Sequence, residues 1–82
     1  MTEEGDERAR LVQARRAVLA SRLRQLRSAR RWTQETVARR AGINRSHYNQ
    51  IELGNHSPSL DTLWDIAAAF GVPVTDLLRE PS

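Results

Sequence analysis

Apolar residues recur along this chain at spacings of three and four, the period of an amphipathic helix, and five such stretches follow one another with short connections. The first is expected to begin near Asp6 or Glu7, after Gly5, and to run to about Arg30, with Leu19, Leu23 and Leu26 facing a core. Upstream, Leu11, Val12 and Val18 prolong an apolar face beyond what a small domain needs to cover. The second stretch buries Val37, Ala38 and Ala41 and leaves Gln34, Glu35, Arg39 and Arg40 outside. In the third, Tyr48 and Ile51 turn inward while Arg45, Ser46, Asn49 and Gln50 take the other side. A fourth has a broad inner face of Leu60, Leu63, Ile66, Ala67 and Phe70, with Trp64 half exposed at its edge. Val74, Leu77 and Leu78 mark a short last helix, so the fold class is all-α.

Residues that start and stop helices punctuate this pattern. Thr33, Asn44 and Ser59 each carry a side-chain oxygen able to accept from the free amides of the helix that follows, and Asp61 suits the positive end of the fourth helix. Gly42 closes the second helix, because glycine enters the left-handed conformation at little steric penalty, and Ile43 supplies the hydrophobic contact that accompanies such a stop. Gly54 closes the third helix, and after Gly71 the Val72-Pro73 pair turns the chain toward the last. With only a three-residue turn between them, the second and third helices must cross steeply, and Ala38 keeps side-chain bulk low where their backbones approach. That is the geometry of a helix-turn-helix over residues 33–54.

The chain here resembles the lambda repressor-like, Cro-type (XRE) DNA-binding family, from about Leu19 to Leu78. Gln34, Ala38, Gly42, Tyr48 and Ile51 stand where that family places its glutamine, small residue, turn glycine and two buried positions, and the run PSLDTLWDIAAAFGV over residues 58–72 follows its fourth-helix pattern. The resemblance implies a compact five-helix lambda repressor-like DNA-binding domain, here with an extended first helix. It also implies a partly buried ion pair between Arg27 and Glu52 that orients the third helix, and a two-fold dimer contact through Val74, Leu77 and Leu78. The expected organisation is a disordered acidic segment over residues 1–6, a DNA-binding domain over 7–79 and a tail over 80–82.

The net charge of +3 is modest but unevenly spread. Residues 1–7 carry four acids and no base, residues 8–31 carry nine arginines and no acid, and residues 56–82 sum to −3. All thirteen basic residues are arginine, whose guanidinium matches phosphate and guanine edges better than an ammonium does. The arginines before Arg24 read equally well as a solvated helix face.

If residues 44–53 lie in a DNA major groove with their amino end inward, Arg45, Ser46, Asn49 and Gln50 come nearest the bases. Arg45 can donate two bonds to O6 and N7 of guanine, and Gln50 can read adenine or bond a neighbouring base or phosphate. Family resemblance makes Arg45, Ser46 and Gln50 the main base-reading positions and Asn49 a secondary one. Phosphates are expected at the amino end of the second helix, where free amides meet Gln34 with support from Thr33. His47 on the third helix, and Asn55 and His56 in the loop after it, are the other expected phosphate contacts.

Other classes fit less well. Asp61 and Asp65 share a helix face without a nucleophile and base beside them, and a Walker-type phosphate loop would need a lysine that the chain lacks. Neither histidine has a second ligand at a metal spacing in the sequence, and there is no cysteine, so no metal and no cofactor is expected. No apolar run approaches the about 18 residues that cross a bilayer, which suggests a soluble, cytoplasmic protein. The expected function is a sequence-specific transcriptional regulator, more specifically a repressor, that binds an inverted repeat of double-stranded DNA as a homodimer. The alternative is an antitoxin-type protein whose long first helix binds a partner protein and which acts on DNA only for its own control.

Overall fold

The computed structural model describes residues 3–80. They form five helices: α1 (Glu3–Arg30), α2 (Gln34–Ala41), α3 (Arg45–Glu52), α4 (Leu60–Phe70) and α5 (Val74–Leu77), with no strand among the described residues. α1 packs against α3 and α5, and α2 packs against α3 and α4. One core joins them, with Leu23, Val37, Tyr48, Ile51, Ile66 and Leu77 fully enclosed and Leu19, Leu26, Ala38, Leu63, Ala67 and Phe70 around them. Fully burying each large apolar side chain contributes roughly 1.5–3 kcal/mol.

The caps form where the sequence puts them. Thr33 Oγ1 accepts from the Thr36 amide at 3.1 Å, Asn44 Oδ1 from Ser46 and His47 at 2.7 and 3.2 Å, and Ser59 Oγ from Thr62 at 3.1 Å. Gly42 ends α2 at φ 71°, where its amide reaches Arg39 O and the Ile43 amide reaches Ala38 O. Open space surrounds the missing Cβ of Gly42, so backbone conformation rather than room selects glycine there.

α1 ends with the same pair of bonds, Arg31 N to Ser28 O and Trp32 N to Arg27 O, yet the left-handed residue is Arg31 at φ 56°. Beyond it Trp32 stacks on Phe70 with ring centroids 5.8 Å apart, and the Arg40 guanidinium lies 4.3 Å from the Trp32 ring centre. These contacts tie the end of α1 to α2 and α4.

Three expectations need correction. α1 begins at Glu3, so residues 3–6 are helical rather than disordered, while residues 1–2 lie outside the described residues. Glycine costs a helix about 1 kcal/mol relative to alanine, but Glu3, Glu4 and Asp6 sit at the positive end of the helix dipole, each worth about 0.3–1 kcal/mol. Leu60 is 66% exposed rather than part of the inner face, because the first residue of α4 leans back over the preceding turn, away from the core. Leu77 is completely buried within its own chain, so of the three expected dimer residues only Leu78, at 53% exposure, and half-buried Val74 present surface to another molecule. Of the expected 80–82 tail, Glu80 is exposed and outside any helix, and residues 81–82 lie outside the described residues. Trp64 is half exposed, as its place at the stripe's edge predicts.

Candidate nucleic-acid interface

α3 is short, and its own hydrogen bonds cannot fix its direction; isolated helices of this length are marginal in water. Its inner face is anchored by Tyr48 and Ile51, both without solvent exposure, and its amino end by the Asn44 cap. Its carboxyl end is held by α1. Arg24 Nη1 donates to Glu52 O at 2.7 Å, Gln13 Nε2 donates to Gly54 O at 3.0 Å, and Arg16 Nε donates to Ser57 Oγ at 2.8 Å in the loop beyond. The last carbonyls of a helix have no intrahelical partner and carry the negative end of its dipole, so a cationic donor satisfies both needs. Gly54, at φ 79°, brings the chain close to α1: a Cβ there would lie 3.8 Å from that of Ala20. The sequence does not single out Gln13, Arg16 or Arg24 for this role, because helical periodicity says nothing about partners 28 to 41 positions away.

Glu52 supplies the second anchor. Its carboxylate, with the residue 2% exposed, receives Arg27 Nε at 3.0 and 3.1 Å and Arg27 Nη2 at 2.6 Å, and Gln34 Nε2 reaches it at 3.3 Å. Burial alone would raise the carboxyl pKa; hydrogen bonding from Arg27, reinforced by the polar surroundings of Tyr48 and Gln34, outweighs it and holds the group below the usual carboxylate value. The same hydrogen bond to Glu52 raises the Arg27 pKa against a smaller opposing effect of burial. The Tyr48 hydroxyl is buried beside the pair without completing a hydrogen bond, and burial first, then the Glu52 carboxylate, pushes its ionisation far above the normal tyrosine range. The cluster therefore carries one positive and one negative charge at neutral pH.

With these faces occupied, α3 presents Arg45, Ser46 and Gln50 to solvent, with Asn49 half-buried beside them. Asn55 Nδ2 reaches Gln50 Oε1 at 3.3 Å and the Asn55 amide donates to Gln50 O at 3.0 Å, so Asn55 braces Gln50. Thr33 is exposed at the start of α2, its hydroxyl engaged in the cap; Gln34 is half-buried and turned toward Glu52. His47 and His56 meet edge to face, with ring centroids 4.9 Å apart and planes at 77°, a pairing that no local spacing signals. No helix among the described residues is long and apolar enough to cross a membrane.

A helix with a free polar face, crossed and supported by a second helix and braced at both ends, defines a helix-turn-helix domain. A family model described as helix-turn-helix, HTH_3, matches residues 23–77. The chain belongs to this XRE-type family of DNA-binding transcription regulators. It is 35% identical over 63 residues to the HTH-type transcriptional regulator SutR of Escherichia coli, covering 77% of this chain and 35% of SutR. Over 63 residues it is also 35% identical to the cryptic phage CTXphi transcriptional repressor RstR of Vibrio cholerae, covering 77% of this chain and 57% of RstR. The crystal structure of the hypothetical transcription factor NHTF from Neisseria superposes with a TM-score of 0.79 at 36% identity, over 85% of this chain and 80% of that one. The matched region thus spans less than two thirds of SutR and of RstR.

Proposed function

We propose that this chain is a sequence-specific transcriptional regulator, acting as a repressor, that reads an inverted-repeat operator as a homodimer. The observation that carries this reading is the outward face of α3. Arg45, Ser46, Asn49 and Gln50 stand together on a helix whose opposite face and both ends are fixed by Tyr48, Ile51, the Asn44 cap and the Arg24 and Gln13 bonds to its last carbonyls. A rigid polar face suits base readout, because the ordering entropy is met before DNA arrives.

In the docked complex the amino end of α3 enters the major groove. Arg45 donates to O6 and N7 of a guanine and discriminates by about 1–3 kcal/mol at that position. Gln50, braced by Asn55, reads the next base; Ser46 acts through water or a thymine methyl, and Asn49 assists. The amino end of α2, with Thr33 and Gln34, meets one phosphate strand, while His47, Asn55 and His56 meet the other. Leu78 and Val74 face the second subunit across the two-fold axis. Half-sites lie about one helical turn apart, and no cofactor enters the mechanism. The similarity to RstR, a transcriptional repressor, supports the sign of regulation.

Selection of bound sites from random duplex DNA tests this. A palindromic motif with a guanine in each half is expected; recovery of no preferred motif at moderate salt would overturn the reading.

A further inference from the structure

We propose that His47 and His56 form a two-imidazole site for a divalent transition-metal ion of the zinc type. The chain brings them together from separate elements. His47 is the third residue of α3, its amide bonded to Asn44 Oδ1 at 3.2 Å. His56 lies in the loop beyond Gly54, between two clamped neighbours: the Asn55 amide bonds Gln50 O at 3.0 Å, and Ser57 Oγ accepts from Arg16 at 2.8 Å. Both backbones are therefore held before any ligand arrives.

The rings stand 4.9 Å apart between centroids, with planes at 77°. Two imidazoles sharing one ion through nitrogen bonds of about 2.0–2.1 Å, at a near-tetrahedral angle, place their centroids about 5 Å apart. The observed ring separation of 4.9 Å lies at that spacing. A second observation points the same way. Nε2 of His47 is buried and has no hydrogen-bond partner. A buried polar nitrogen left without a partner is unfavourable, and edge-to-face packing of rings leaves it so. An ion shared with His56 supplies what the nitrogen lacks.

No third histidine, cysteine or carboxylate joins the pair among the described residues. The ion keeps open positions for water or another oxygen donor, and the site is weaker than a closed structural centre. Imidazole ligands suit zinc, nickel and copper, with Cu²⁺ bound more tightly than Zn²⁺. With an ion in place, the loop after α3 is cross-linked to the helix itself.

The full-length chain, without DNA, is titrated calorimetrically with Zn²⁺ alone at neutral pH, and its melting temperature is recorded with and without the ion. One ion per chain is expected, with a loss of affinity of about tenfold or more in His47→Gln and in His56→Gln separately, and a zinc-dependent rise in melting only in the parent. Melting without zinc confirms that each variant folds. Wild-type affinity in either single variant would place the ion elsewhere and overturn the proposal, as would no binding by the parent. Since no DNA is present, neither outcome depends on how the chain reads an operator.

Discussion

The guanidinium of Arg27 grips the carboxylate of Glu52 through both Nε and Nη2, and its Nη1 donates to Trp32 O at 3.0 Å. One side chain of α1 thereby fixes the end of α3 and the start of the segment leading to α2. Because Glu52 is enclosed and Arg27 keeps a side-chain exposure of 26%, removing the cation strands a buried anion, while removing the anion leaves a cation with access to water. Arg27→Met is expected to destabilise the fold by about 3 kcal/mol, and Glu52→Gln by less. Urea unfolding of both variants checks the asymmetry; equal, sub-kcal losses would show that the pair has no structural role.

The same pair sets an acid limit. The folded-state pKa of Glu52 lies below its ordinary value of 4.5. As pH falls, the unfolded chain therefore takes up this proton first, so the stabilisation is fully present above the ordinary value and is lost as pH falls from there through the folded pKa. The stability difference between the parent and Glu52→Gln should be constant near neutrality and shrink at pH below 4.5, measured as urea midpoints across that range. A difference that persists undiminished in strong acid would assign it to packing.

Arg31 offers the opposite test, a substitution that should stabilise. It holds φ 56° where α2 and α4 use Gly42 and Gly71 at 71° and 72°. The left-handed conformation costs an L-residue about 1–2 kcal/mol, partly offset by the greater chain entropy that glycine brings to the unfolded state, about 0.5–1 kcal/mol. Arg31→Gly should gain up to about 1 kcal/mol, a rise of up to about 4–8 °C in Tm for a domain of this size. A lower melting temperature by calorimetry would show that the Arg31 side chain stabilises the fold by more than its backbone strain costs.

Most of the architecture was legible because helical period, caps and left-handed glycines are local signals: Thr33, Asn44, Ser59, Gly42 and Gly71 each act within a few residues. The outward face of α3 followed from the inward placement of Tyr48 and Ile51. Contacts made across the fold were not legible. Arg24, Gln13 and Arg16 resemble solvated residues of a charged helix until the end of α3 lies beside them. The Arg27–Glu52 pair was expected from family resemblance alone, and Leu77 reads as surface or core according to which way a one-turn helix rolls.

Leu77 and Leu78 are adjacent but have opposite roles. Leu77→Ala empties a site with no solvent exposure and should cost about 2–5 kcal/mol of stability. Leu78 is 53% exposed, and Leu78→Glu should leave melting near that of the parent while weakening self-association. Sedimentation across a concentration series reads the second effect, and an unchanged monomer–dimer equilibrium would remove Leu78 from the interface.

Arg45 and Gln34 separate sequence reading from phosphate holding. Arg45 is exposed on α3, and nothing in the fold depends on its side chain, so Arg45→Ala should leave stability intact. It should weaken a selected operator by about 1–3 kcal/mol with little change on random duplex. Gln34 is half-buried at the amino end of α2 and bonds Glu52 at 3.3 Å, which couples phosphate contact to the ion pair. Gln34→Ala should therefore lower affinity for both duplexes alike, with a small loss of stability. Titrations of each variant against both DNAs at several salt concentrations distinguish the two roles. Equal losses on the operator and on random DNA in Arg45→Ala would make Arg45 a backbone contact and move base readout to Ser46, Asn49 and Gln50.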